Sequence, residues 1–129
     1  MTELTRALVA RFSGYGMPVY LTGWVPADAR PPYLTLTVEP GDWRRLGYLA
    51  LTVWMNQAEE GNRRRLEAME RLAASVPEGG LRVCCPGEIC VVRRARADFL
   101  RLVADPARSG ALGGQVRFEM VRYPRGGAV

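Results

Sequence analysis

The sequence predicts an α+β fold with one domain, residues 1–129, in which a single antiparallel or mixed β-sheet carries two main helices on one face. Three observations predict this class. Two segments space their apolar residues as helices do, several short segments alternate apolar and polar residues as strands do, and the chain lacks a regular β-α-β order. A doubly wound nucleotide-binding fold is therefore not expected.

The first predicted helix covers about Glu3 to Phe12. Its apolar residues recur at four-residue steps and form one stripe: Leu4, Leu8 and Phe12. Thr2 is placed to cap the start of this helix, and Ser13 and Gly14 are placed to end it.

The first strand is predicted at Met17 to Leu21, and Thr22 to Pro32 is predicted as a loop because its prolines lack the amide donor that a sheet needs. Tyr33 to Val38 alternates throughout. One face of this strand holds Leu34, Leu36 and Val38, and the other holds Tyr33, Thr35 and Thr37.

A turn at Glu39 to Asp42 predicts that this strand continues into an antiparallel hairpin. The returning strand, about Leu46 to Trp54, has large side chains on both faces. We therefore expect it to lie in the interior of the sheet.

The second helix is predicted at about Asn62 to Val76. Its expected buried stripe is Leu66, Met69, Leu72, Ala73 and Val76, and its expected solvent face is Arg63, Arg64, Glu67, Glu70 and Arg71. Glu67 and Arg71 have the spacing of a helical ion pair.

The C-terminal part of the sequence predicts further strands. Glu88 to Arg94 is predicted as a strand with Ile89 and Val91 facing inward, and Phe99 to Val103 fits either a strand or a helix. Ser109 to Gly114 is predicted as a flexible loop. Gln115 to Tyr123 is predicted as the closing strand, with its inward side chains Val116, Phe118 and Met120.

All 18 basic residues are arginines, and with 13 acidic residues they give a formal net charge of +5. A nucleic-acid footprint and a GC-rich coding sequence both account for this bias. Acidic residues stand among the arginines: Glu59, Glu60, Glu67, Glu70 and Glu119. This mixing predicts solvated faces, and nucleic acid is not the expected specific ligand.

The sequence contains no histidine, which removes the usual general base and the histidine-containing metal sites. No phosphate-binding motif is present either. Cys84, Cys85 and Cys90 are three thiols without an imidazole to complete a zinc site. We therefore expect reduced, partly buried thiols, no metal, no cofactor and no enzymatic activity. A histidine-free enzyme would need a cleft with converging carboxylates or an activated Cys90.

Two groups of residues are candidates for a protein interface, because tryptophan and arginine are frequent in binding hot spots. The candidates are Trp24, Trp43, Arg44, Arg45, Arg63 and Arg64. Each tryptophan is equally consistent with a cover over the core. The run Arg63 to Arg65, which opens the second helix, could meet an anionic partner, but such a run is more often a solvated helix face.

No apolar run approaches the length of a membrane span, and the first residues lack the pattern of a secretion signal. We therefore expect no membrane association and a location in the cytosol of the cell that makes the protein.

The element order resembles that of the small tail-terminator and tail-completion proteins of tailed bacteriophages and prophages. The likeness includes a short helix, a strand at Pro18-Val19-Tyr20, a loop with Val25-Pro26, and the strand that begins at Pro32-Tyr33-Leu34. A hairpin, a long amphipathic helix and the late strand Gln115 to Met120 complete it.

This resemblance implies a structural virion-assembly protein without catalytic residues. It implies a ring of identical subunits, typically six, that caps the tail tube and docks to the head connector. A small arginine-rich module that binds nucleic acid or another anionic partner is the alternative. Steep dependence of binding on salt would favour that alternative.

Overall fold

The computed structural model describes residues 2–42, 44–56, 61–97, 99–104 and 111–124. The helices are α1 (Glu3–Phe12) and α2 (Gly61–Ala74), and a short 3-10 turn (Ser13–Tyr15) follows α1. The strands are β1 (Val19–Leu21), β2 (Tyr33–Glu39), β3 (Gly47–Asn56), β4 (Leu81–Cys85), β5 (Glu88–Arg94), β6 (Leu100–Ala104) and β7 (Ala111–Pro124).

The fold is α+β, with the strands in one mixed seven-stranded sheet. Six strands follow the order β1-β2-β3-β7-β5-β4, and β6 pairs with β7. β1 runs parallel to β2, and every other pairing is antiparallel. The predicted β2–β3 hairpin is confirmed, and β3 lies inside the sheet between β2 and β7, as its two apolar faces predict.

The long strand β7 organises the sheet. One of its edges pairs with β3 over the register Ala111↔Asn56 to Met120↔Gly47. Its other edge pairs first with β6 and then with β5. The register passes from Leu100↔Val116 to Arg94↔Phe118. Ala95 and Phe99 both bond the backbone of Arg117, so the chain leaves β7 and returns to it at this single residue. This bulge divides one long neighbour of β7 into two strands.

Both helices lie against the same face of the sheet. The sides of the strands that face them carry most of the core, including Leu49, Leu51, Val53, Val116, Phe118 and Met120. α1 contributes Leu4, Leu8 and Phe12, as its spacing predicts, and the Thr2 side chain caps it by accepting from the Thr5 N–H at 3.1 Å. α1 contacts β4 and β1, whereas α2 packs across β3 and β7.

The buried stripe of α2 differs from the prediction. Leu66 is 50% exposed, whereas Arg65 and Ala68 are buried with Met69, Leu72 and Val76. The stripe is displaced because α2 approaches β7 at Gly114, where Arg65 and Met69 lie directly over the backbone. An ion pair joins Arg63 to Glu67 at 3.5 Å on the exposed side of the helix.

The predicted loop at Ser109 to Gly114 is wrong for residues 111–114, which begin β7; residues 109 and 110 lie outside the described ranges. Gly113 and Gly114 are buried because other parts of the chain occupy the space of their missing side chains. Val103, Trp54 and Thr52 approach Gly113 on one face, and α2 approaches Gly114 on the other.

The strand predicted at Glu88 to Arg94 has the correct bounds but the wrong inward face. Cys90 and Val92 are buried, and Ile89 and Val91 are half-buried. Pairing with β7 decides the face, because Val92 lies opposite the buried Met120. The sequence did not predict β4, and it left β6 open between strand and helix.

The close packing of α2 on Gly114 gives a first prediction. A valine at this position would meet Arg65 and Met69 directly, so Gly114→Val should lower the free energy of unfolding by about 1–3 kcal/mol. Chemical denaturation measures this loss. Gly79→Val is the matched control, because a side chain there meets nothing within 4 Å, and its effect should stay within about 0.5 kcal/mol. Equal effects of the two substitutions would contradict the packing described.

Candidate interaction surfaces

The predicted interface residues near the β2–β3 turn lie at one end of the sheet. The Asp42 carboxylate accepts from the N–H groups of Arg44 at 2.7 Å and Arg45 at 3.0 Å, which fixes the turn with both arginine side chains exposed. Trp24 is 79% exposed and follows β1, whose last residue pairs with Leu36 toward the same end. Trp43 lies outside the described residues.

Arg63 and Arg64 lie at the start of α2, close behind the end of β3 that is remote from the hairpin turn. Both are exposed. The structure therefore separates the predicted interface residues into two groups at opposite ends of the sheet. They do not form one continuous surface.

The cysteines belong to the β4–β5 hairpin. All three are free thiols; Cys84 is exposed, and Cys85 and Cys90 are buried on the core face. Burial, and after it the charge of Glu88, raises the pKa of Cys90 to about 11. The same two causes raise the pKa of Cys85. Within the described residues no three histidine, cysteine or acidic side chains form a group able to hold a metal ion.

The raised pKa of Cys90 gives a prediction of stability against pH. The folded protein keeps the thiol proton at a pH where the unfolded chain has lost it, so this contribution is present below about pH 9 and is lost as the pH rises toward 11. A shift from 9.0 to about 11 corresponds to about 3 kcal/mol.

Chemical denaturation in reducing buffer at both ends of this pH range tests the effect. Between these two pH values the wild type should lose about 2 kcal/mol more than Cys90→Ala, because the unfolded thiol is already half ionised at the lower pH and the folded thiol only half ionised at the upper. Cys84→Ala, which removes an exposed thiol, should follow the wild type. A Cys90→Ala variant that loses as much stability as the wild type would contradict the assignment.

One edge of β6 pairs with β7, and its outer edge faces away from β7. The Arg117 N–H donates to the Phe99 C=O at 2.8 Å, so the ladder starts with a hydrogen-bonded pair. Such pairs alternate along antiparallel strands. Arg101 and Val103 consequently direct their backbone groups toward β7, whereas Leu100 and Leu102 direct theirs away. Among the described strands, none pairs with this side of β6.

Exposed leucines accompany this open edge. Leu100 is 51% exposed and Leu102 is 60% exposed, and both lie on the helix-bearing side of the sheet, opposite Val116 and Gly114. Leu66 of α2 adjoins the residue that covers Gly114. Ala68 and Arg71 on the other flank of α2 lie near Met17, before β1. The flank with Leu66 therefore faces β6, and we call Leu66, Leu100 and Leu102 the leucine patch.

The other face of the sheet carries a row of arginines. Arg101 lies opposite Gln115, Arg93 opposite Glu119 and Arg82 opposite Val91, all on the side away from the helices. Arg117 of β7 lies on this side too, with its guanidinium 5.9 Å from the centre of the Tyr48 ring. Arg96 in the bulge reaches the same side. We call these five residues the arginine face: Arg82, Arg93, Arg96, Arg101 and Arg117.

Two carboxylates of the described strands lie on this side of the sheet: Glu39, which is exposed opposite Tyr48, and Glu119, which is buried at 5% exposure. Its Oε1 accepts from the backbone N–H of Arg96 at 3.3 Å and from the Nε of Arg96 at 3.2 Å. Arg93 Nε lies 3.7 Å from its Oε2. Glu119 therefore fixes the bulge, and the arginines outnumber the carboxylates on this face.

The half-buried carboxylate of Glu88 is also bound by an arginine. Arg122 donates to both of its oxygens, at 2.8 Å and 3.1 Å, and a third hydrogen bond of 3.1 Å links Arg122 to the Gly41 carbonyl in the β2–β3 turn. These contacts line an open depression of about 300 Å³. The site ties the end of β7 to the hairpin, and its carboxylate is already neutralised.

No family model, curated protein or solved structure matches the chain. In the part of the chain described, none of the helices has the length and apolar character required to cross a membrane.

Sequence reasoning missed both the leucine patch and the arginine face. Leu66 was expected in the core, and the arginines of the face are scattered from position 82 to position 117. The available sequence signal for the arginine face is the alternation within single strands, which puts Arg117 and Glu119 on the side of the closing strand away from its apolar residues. Strand register is needed to bring the five arginines together.

Proposed function

We propose that the protein is a structural assembly subunit of a phage or prophage tail and associates with copies of itself through the β6 edge. The observation that carries this proposal is that, among the described strands, none pairs with the outer edge of β6. Its outward backbone groups at Leu100 and Leu102 can pair with a strand of a neighbour. The leucine patch beside them supplies apolar surface to bury in the same contact.

The geometry of the sheet favours a contact between unlike surfaces. β6 lies at one side of the sheet and β1 at the other. A neighbour that binds the β6 edge through any other part of its surface makes a heterologous contact, and such contacts generate closed rings when the rotation closes. The resemblance to tail terminators supports a ring of about six subunits that caps the tail tube.

The residues at the hairpin end of the sheet are candidates for contacts along the tail axis. Trp24, Arg44 and Arg45 are exposed there, and they lie apart from the leucine patch. We propose that this end contacts the tail tube or the head connector, so that one subunit holds lateral and axial partners at once.

Sedimentation velocity from dilute to concentrated protein tests self-association. Wild-type protein should shift from monomer to a closed multimer. Leu102→Pro should remain monomeric, because proline removes an outward N–H without removing a hydrogen bond to β7. Leu102→Thr keeps that N–H and removes apolar surface, so it should weaken association less.

Thermal unfolding of each variant controls for loss of the fold. A wild-type protein that stays monomeric at the highest concentration would contradict the proposal. So would a folded Leu102→Pro variant that assembles as the wild type does.

A further inference from the structure

We propose that the arginine face is a binding site for single-stranded nucleic acid. This site differs from the leucine patch because it occupies the side of the sheet away from both helices, and through Arg101 it shares strand β6 with the proposed self-association edge. The inference rests on the order of the arginines, on the aromatic ring beside them and on the excess of arginines over carboxylates on this side of the sheet.

The arginines form a row along the strand direction. Their order is given by the positions along β7 with which they align. Arg101 aligns with position 115, Arg117 occupies the next such position, and Arg93 aligns with position 119. Arg82 aligns with position 121, because its partner Val91 pairs there. Each step is two strand residues, about 7 Å, and the row extends for about 20 Å. Across the sheet, the row covers three adjacent places: β7, the place shared by β5 and β6, and β4. An extended sugar-phosphate backbone presents its charges in such a linear series.

An aromatic side chain lies beside the middle of this row. Tyr48 is 38% exposed and contacts the guanidinium of Arg117. Proteins that bind single strands combine a positive track for the backbone with aromatic rings on which bases stack. Tyr48 and Arg117 supply both parts at one place.

The distribution of charge is the third argument. The exposed face of α2 mixes Arg63, Arg64 and Arg71 with Glu67 and Glu70. On the arginine face, by contrast, the carboxylate of Glu119 is buried beneath Arg93 and Arg96. Glu39, the cross-strand partner of Tyr48, is exposed on the same side. The five arginines outnumber these two carboxylates, so this side presents an excess of positive charge to a ligand.

Fluorescence anisotropy with a labelled oligothymidine tests the proposal across a range of salt concentrations. If all five arginines contact phosphates, the logarithm of the binding constant should fall with the logarithm of salt with a slope of about −3.5. The same strand paired with oligoadenosine should bind more weakly, because its bases cannot stack on Tyr48.

Two double variants of equal charge locate the site. Arg82→Gln/Arg101→Gln changes the two ends of the row, and Arg63→Gln/Arg64→Gln changes two exposed arginines of α2. The first should reduce the salt slope by about 1.4, which is two phosphate contacts at about 0.7 each. The second should leave the slope unchanged. All four positions are exposed, so both variants should keep the wild-type melting temperature.

Several outcomes would overturn the proposal. They are no binding at low salt, equal loss of slope in the two double variants, and duplex binding as tight as single-strand binding. Polyglutamate tests the other class of anionic partner. If it binds as tightly as the oligothymidine, the face recognises acidic polymers in general and the assignment to nucleic acid is wrong.

Discussion

The bulge opposite Arg117 is the constraint on which the rest of the structure depends. It is held from both sides of the sheet: Phe99 packs edge-to-face on Phe118 at 6.0 Å on the core side, and Glu119 binds Arg96 on the other. Because the segment leaves β7 and returns, one neighbour becomes two strands. The outer edge of β5 pairs with β4, whereas no strand in the described part of the chain pairs with the outer edge of β6.

The same bulge sets the chemistry of the two sides. β7 continues through it with strict alternation, so Val116, Phe118 and Met120 enter the core while Arg117 and Glu119 face away. A buried carboxylate requires compensation. Arg93 and Arg96 provide it, and they extend the row of arginines past the bulge. Stabilising the fold and building a cationic surface are thus consequences of one arrangement.

Local patterns predicted the elements whose signals lie within a few residues: α1, the β2–β3 hairpin and the end of β7. They failed where contacts distant in sequence decide. The glycines at 113 and 114 locally favour a loop, and only the packing of α2 and Trp54 against them explains why they lie in a strand. In the same way, local alternation does not determine whether Cys90 or Ile89 faces inward, whereas the pairing of β5 with β7 beside Met120 does. Trp24, Arg44 and Arg45 were placed at the surface by their turn chemistry. The leucine patch and the arginine face depend on register, which no single strand encodes.

Residue-resolved amide hydrogen exchange on dilute protein tests the central claim most directly, because the bulge fixes which β6 amides reach β7. The account predicts alternation: slow exchange at Arg101 and Val103 and fast exchange at Leu100 and Leu102. Slow exchange at all four amides would contradict an open edge. Fast exchange at Arg101 and Val103 with slow exchange at Leu100 and Leu102 would contradict the register that the bulge imposes.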